Sequence, residues 1–283
     1  MSLAILLAGV ALLVGGLADL LYRVAQNRGI DSGLFIFWQS VIFAVILWVY
    51  AIFSGDILKL DTFTWLIGLP GGALGYVGLT LFLLSVKTGD VSVNAPIFRL
   101  NFVITSAGAM ILLGESFALA KLVGITLALL SVISFAGIKS LNFNSSQLSS
   151  LALVSLGSIV FGIVGILIKY GLNNDAEPIP LLLTQTIAFQ VAASIYVVYT
   201  KKWKPNQATR RYSPWIAVLQ LIWASLTLTA LSFGEASIIY PIVQLSFVVT
   251  AILGIILLHE EFTKGKGLGI LLALGAVGAL AIA

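Results

Sequence analysis

Asp19 and Arg99 stand out because each is an ionisable residue deep inside a long apolar run. A charged side chain at the centre of a bilayer costs at least about 2.5–3.5 kcal/mol, so such residues are found paired or along a pathway. Asp19 lies eight residues before Asn27, where the first run ends, and Arg99 lies eight residues after Val91, where the fourth begins. At about 1.5 Å of helix rise per residue, both sit roughly 12 Å below the same face. Equal depth predicts a direct Asp19–Arg99 ion pair. Arg23 is a competing partner for Asp19, since residues i and i+4 share a helix face. The pair is either a fixed structural bridge or a site that meets a substrate or a proton.

Weaker candidates surround it. Asn101, Phe102, Thr105 and Ser106 follow Arg99, and the ninth run carries Gln244 and Phe247. Pro96 and Pro241 sit within these runs, where a proline frees a backbone carbonyl and marks a break beside a cavity or a simple kink. Gln39, Tyr76, Gln185 and Trp223 are the remaining polar or amphipathic candidates for substrate binding or coupling. Trp48, Trp65, Trp203 and Trp215 lie near run ends, where tryptophan forms interfacial belts. Glu115 and Glu260 each end a run just before the next helix, a place for a carboxylate that favours a helix N-terminus. The chain has no cysteine and one histidine, His259. No catalytic residues, metal ligands or cofactor are expected, since an intramembrane enzyme needs paired aspartates, a Ser–His dyad or a His/Glu site at depth.

The elements that must position these residues follow from composition. Hydrophobic residues make up 60% of the 283 residues and charged residues 9%, with a mean hydropathy of +1.11. Soluble domains carry roughly 25% charged residues, so the bilayer is the expected solvent. The first run lacks a basic leader and is too long for a cleaved signal. Breaking the apolar runs at polar clusters yields ten spans of about 20 residues, the length a bilayer core requires. They run approximately over 3–27, 33–53, 63–87, 91–113, 118–138, 148–172, 179–199, 212–233, 236–258 and 263–282. The fold class is all-α and integral to the membrane.

The chain also repeats itself. Shifted by 145 residues, Gly89, Ser92, Pro96, Glu115, Lys121 and Gly124 fall without a gap on Gly234, Ser237, Pro241, Glu260, Lys266 and Gly269. At a shift of 146, Gly16, Arg23, Gln39 and Phe43 meet Gly162, Lys169, Gln185 and Phe189. Two units, 1–140 and 147–283, each hold five spans. Five is odd, so the second unit is inverted relative to the first, a common plan for secondary transporters. Asp19 and Arg99 have no ionisable counterparts: Gly165 and Gln244 stand in their places.

On these features the chain resembles the EamA-like branch of the drug/metabolite transporter superfamily. The marks are a proline early in each unit's fourth span, a glutamate ending it and a glycine in the fifth: Pro96, Glu115 and Gly124, then Pro241, Glu260 and Gly269. The resemblance implies a central cavity, with spans five and ten packed outside it, and transport or efflux of metabolites. The Trp-Gly usual early in the first span is Gly15-Gly16 here. The function expected is secondary transport of a small polar or zwitterionic, amino-acid-like metabolite by alternating access, as an exporter. Proton-coupled multidrug or cationic efflux is the alternative, and a non-transporting membrane sensor or scaffold the outside one. The expected partners are a small-molecule substrate and the bilayer of the cell (cytoplasmic) membrane. Nucleic acid is not expected, and the protein is expected as a monomer or weak homodimer. Eleven Lys and Arg residues fall on the face of the first loop and three on the face of the termini. The positive-inside rule therefore puts the termini outside, whereas the resemblance implies termini inside.

Overall fold

The computed structural model describes residues 2–89, 91–136 and 145–283. Its helices are α1 (Leu3–Gln26), α2 (Ser32–Ser54), α3 (Thr62–Thr88), α4 (Val91–Arg99), α5 (Asn101–Leu112) and α6 (Leu119–Ala136) in the first repeat. Those of the second are α7 (Ser145–Asn173), α8 (Pro178–Thr200), α9 (Gln207–Phe233), α10 (Ala236–Gln244), α11 (Ser246–Leu258) and α12 (Lys264–Ala281). Among the described residues, nine spans are long and apolar enough to cross a membrane, and Leu119–Phe135 is a shorter tenth. The expected end of span five at Ile138, the break at Asn142 and the unit boundary at 140 lie outside the described residues. Starts are set by side-chain caps: Asp31 accepts from the Leu34 N–H, Asp61 from Thr64 and Asn206 from Thr209, each satisfying a first-turn donor. The Asn206 cap starts α9 five residues before the expected Tyr212, because the basic Arg210 and Arg211 join the helix rather than the loop.

Spans four and nine are not the continuous helices expected. Each is interrupted four residues after its proline, at Leu100 and Leu245, which correspond across the repeat. The interruption is a tightened turn: Leu100 N–H bonds the Ile97 carbonyl and Val103 N–H the Leu100 carbonyl, while Val248 N–H bonds Leu245. These i→i+3 bonds are the geometry of a 3₁₀ turn, often a hinge within a helix.

Packing follows membrane logic. Along α1 the large residues Leu3, Leu6, Val10, Leu13 and Leu17 are exposed, while Ala4, Ala8, Ala11, Gly15 and Ala18 are buried. Lipid supplies no hydrophobic force between helices, so small residues that let backbones approach are what hold them together. The contacts obey the repeat. A side chain on Gly16 would meet Val249 and come within 2.9 Å of the Ser246 carbonyl; one on Gly162 would meet Ile104 and the Asn101 carbonyl at 3.1 Å. Val249 and Ser246 are the counterparts of Ile104 and Asn101. Thr250 Oγ1 donates to the Gly16 carbonyl at 3.0 Å, and Thr105 Oγ1 to the Gly162 carbonyl at 3.1 Å. Outside this core α6 packs along α12.

One end of the molecule breaks the two-fold. α10 packs against α5 and α6, but α4 makes no comparable contact with α11 or α12. Pro241, Ile242 and Val243 are buried, whereas their counterparts Pro96, Ile97 and Phe98 are partly exposed; Phe102 is buried and Phe247 partly exposed. The face of the two termini, where α10 begins, is therefore sealed. The opposite face, where α4 begins, is the looser one.

Gly16→Ala and Gly162→Ala each lower thermal stability in detergent, by about 1–3 kcal/mol as overpacked contacts do. Gly9→Ala, where nothing lies within 4 Å, stays within about 0.5 kcal/mol of wild type.

Candidate functional site

The polar residues converge at the two interruptions. Arg99 ends α4 and Asn101 begins α5; Gln244 ends α10 and Ser246 begins α11. The Arg99 guanidinium donates through Nη2 to Asp19 Oδ2 and through Nη1 to Gln244 Oε1 at 3.0 Å. Gln244 Nε2 donates to Asn101 Oδ1 at 3.0 Å, and Ser246 Oγ donates to Asp19 Oδ2 at 3.4 Å. Arg99 and Gln244 correspond across the repeat, so this bond joins a residue to its own counterpart. Such a bond lies on the pseudo-two-fold axis, the centre of the inverted pair.

The expected ion pair is present. Arg23, the rival partner, bonds Glu260 instead at 2.6 Å. The side chains of Arg99 and Asp19 keep 23% and 28% of their surface exposed although their neighbours are α1, α10 and α11.

The other candidates stand on other helices of the bundle. Trp223 of α9 stands against Gly15, where a side chain would come within 2.8 Å of its ring. The ring that Gly15-Gly16 omits from α1 is thus supplied by α9. Gln185 of α8 has a buried Nε2 without a hydrogen-bond partner. Tyr76 of α3 packs edge-on to Phe189 at 5.3 Å, in an apolar cluster with Leu34, Phe37 and Ala193. Neither it nor Gln39 of α2 shares a hydrogen bond with the Asp19–Arg99 group among the described residues. Pro96 and Pro241 lie one turn before the interruptions.

A second constellation was not singled out from the sequence as a site. It clamps the connection between α9 and α10 at the terminal face. Buried Glu115 accepts from the N–H groups of Ala236 at 2.6 Å and Ser237 at 2.8 Å, and from Ser237 Oγ at 2.5 Å. It caps a helix, but that of the other repeat and not the next helix in its own chain segment. Lys121 donates to Glu235 and, at 2.8 Å, to the Ser116 carbonyl. Lys169 donates to the Leu231 and Gly234 carbonyls, both at 2.8 Å. Lys169 is buried, so Asp19 and Arg99 are not the only ionisable groups inside the spans. The signal for this group was available: Glu115, Lys121 and Lys169 all pair across the repeat with charged residues.

Nine membrane-length helices and a shorter tenth among the described residues, in two inverted repeats with charged groups between them, make a construction common among membrane transporters. The sequence matches the EamA-like transporter family over residues 2–136 and again over 148–282. The chain belongs to that family, within the drug/metabolite transporter superfamily. Among 29 matching chains of solved structures, one crystal structure, 12% identical, superposes with a TM-score of 0.82 over 99% of this chain and 96% of its own. At that identity the likeness is one of fold. No curated protein matches the sequence.

Asp19→Ala and Arg99→Ala together destabilise the protein by less than the sum of the two single effects. Thermal unfolding in detergent gives a coupling of about 1–3 kcal/mol, as expected for residues in one hydrogen-bonded network.

Proposed function

We propose that this chain is a secondary transporter exporting a small polar or zwitterionic, amino-acid-like metabolite by alternating access. The observation that carries the reading is the Arg99–Gln244 bond between repeat counterparts, with Asp19 on the same guanidinium. A site on the axis is equally placed for either half, so it is reached from one face or the other as the halves rock. Arg99 is a fork of donors suited to a carboxylate, and Asp19 accepts from an ammonium. Substrate therefore replaces an internal ion pair with two of its own, which keeps both charges satisfied throughout. Gln244, Asn101 and Ser246 hold the two groups in register, and Gln185, with its unpartnered amide, offers a further donor. Asp19 is the carboxylate of this site, so coupling of transport to the proton gradient is assigned to it. Gln39, Tyr76 and Trp223 shape the space around the site, and Pro96 and Pro241 leave the two central hinges free to flex.

Stabilisation by mass action identifies the ligand class: saturation at about 100 times Kd adds about 2.7 kcal/mol. A thermal-shift screen of purified protein against amino acids and other small metabolites should find zwitterions stabilising the wild type and not Arg99→Ala. Stabilisation by cations alone would favour cationic efflux, and an inert screen with Arg99→Ala tolerated in every assay would favour a sensor or scaffold. In proteoliposomes loaded to set a pH gradient, Asp19→Asn abolishes gradient-driven flux of the substrate so found; unchanged flux sinks the proton coupling. The basic excess on the looser face supports a reading with that face in the cytoplasm and the termini outside. A terminal tag in intact cells is then reached by an impermeant protease, and protection of the tag reverses the orientation.

A further inference from the structure

Glu115, Lys121 and Lys169 of the terminal clamp have counterparts on the opposite face, Glu260, Lys266 and Arg23, and among the described residues these are not clamped onto a helix end. The two hooks share one backbone: Glu115 N–H bonds the Ala109 carbonyl and Glu260 N–H the Gly254 carbonyl, both at 3.2 Å. Each hook is preceded by a left-handed residue, Gly114 at φ 73° and His259 at φ 54°. Both following lysines reach back five residues, Lys121 to the Ser116 carbonyl and Lys266 to the Glu261 carbonyl. The partners of the carboxylates differ. Glu115 caps the first turn of α10 across the repeat, whereas Glu260 is held by Arg23 at 2.6 Å and Lys266 at 3.1 Å. Arg23 itself is half exposed, at 48%, while its counterpart Lys169 is buried on the end of α9. Val91 and Ser92, at the start of α4, are the sequence counterparts of Ala236 and Ser237.

We propose that Glu115 and Glu260 are alternating latches, each capping the broken helix of the other repeat in one of the two facing states. In the state seen, Glu115 holds α10 and seals the terminal face. In the opposite state Glu260 leaves Arg23 and takes the first turn of α4, Arg23 moves to the end of α3, and Glu115 lets α10 go. The physical basis is that the first-turn N–H groups of a helix have no partner within it, and a carboxylate placed there satisfies them and opposes the dipole. A buried bidentate cap is therefore a strong bond for one state and absent from the other, which is what a ligand-free switch needs. The inference rests on reading the chain as an alternating-access carrier and names the residues that carry the alternation.

The chain is cysteine-free, so single-cysteine reporters are clean. Ser106 is fully buried on the sealed side, and Ala251, partly exposed, is its counterpart on the looser side. S106C and A251C, made singly and placed in lipid nanodiscs, are labelled with a membrane-impermeant maleimide, and the two rates are compared. Glu115→Gln raises the S106C rate about tenfold or more and lowers that of A251C, since a hydrogen bond to a charged group shifts a two-state balance by at least that factor. Glu260→Gln does the reverse. Ser237→Ala, which keeps the carboxylate but removes one donor, moves the rates as Glu115→Gln does, by less. Unchanged rates in Glu115→Gln, both reporters rising together in Ser237→Ala, or the two glutamine variants shifting the rates the same way would each overturn the latches. Labelling needs no substrate. A failed flux assay thus leaves this test readable, and intact flux with unmoved labelling rates overturns the latches alone.

Discussion

Two helices in hydrocarbon gain nothing from apolar contact that lipid would not also provide, so what binds them is closeness. Gly16 against the Ser246 carbonyl, and Gly162 against that of Asn101, bring α1 onto α11 and α7 onto α5 with nothing between. Thr250 and Thr105 then reach across to the glycine carbonyls. These paired contacts fix where the second parts of the interrupted spans stand, and hence where the interruptions fall. Arg99 and Gln244 meet because the contacts on either side of them are related by the same rotation. The internal axis is thus a result of backbone approach, and the charged group on it is held by a frame that both repeats build.

The interruptions themselves arise from a conflict that the frame resolves. A proline removes one donor and crowds the preceding turn, which leaves α4 and α10 as short helices of nine residues each. They are joined to α5 and α11 by 3₁₀ bonds, and they end at the polar residues. A short helix hinged at one end moves as a unit. That is why the difference between the two faces is confined largely to α4 and α10, while the pairing of α6 with α12 keeps its symmetry.

Much of this was legible in the sequence, for identifiable reasons. Span number follows from bilayer thickness, and the duplication from a gapless match at glycine, proline, glutamate and lysine. The Asp19–Arg99 pair follows from equal depth on two helices that end at the same face. Other features were not legible. Pro96 and Pro241 announce a disturbance, but its place a turn later depends on where α5 and α11 are pinned. Glu115 was read against its nearest helix in the chain, while its partner lies more than a hundred residues away. The ring beside Gly15 comes from Trp223, which no local pattern connects to α1. The unequal burial of matching residues is beyond any reading of one sequence, since matching residues carry no sign of which repeat packs the tighter.

The Asp19–Arg99 pair has a further consequence, which concerns voltage. Moving one elementary charge across the bilayer is worth about 2.3 kcal/mol per 100 mV, enough to bias any carrier that moves a bare ion. Here the two central charges are opposite and in contact, so as a pair they present a dipole with no net charge to the field. On the proposed alternating-access cycle, this central pair adds no net charge movement when the empty carrier reorients. A zwitterion in its place leaves that sum at zero. Only a proton or an unbalanced cargo makes the cycle electrogenic, and the current then counts what was carried and not the motion of the protein.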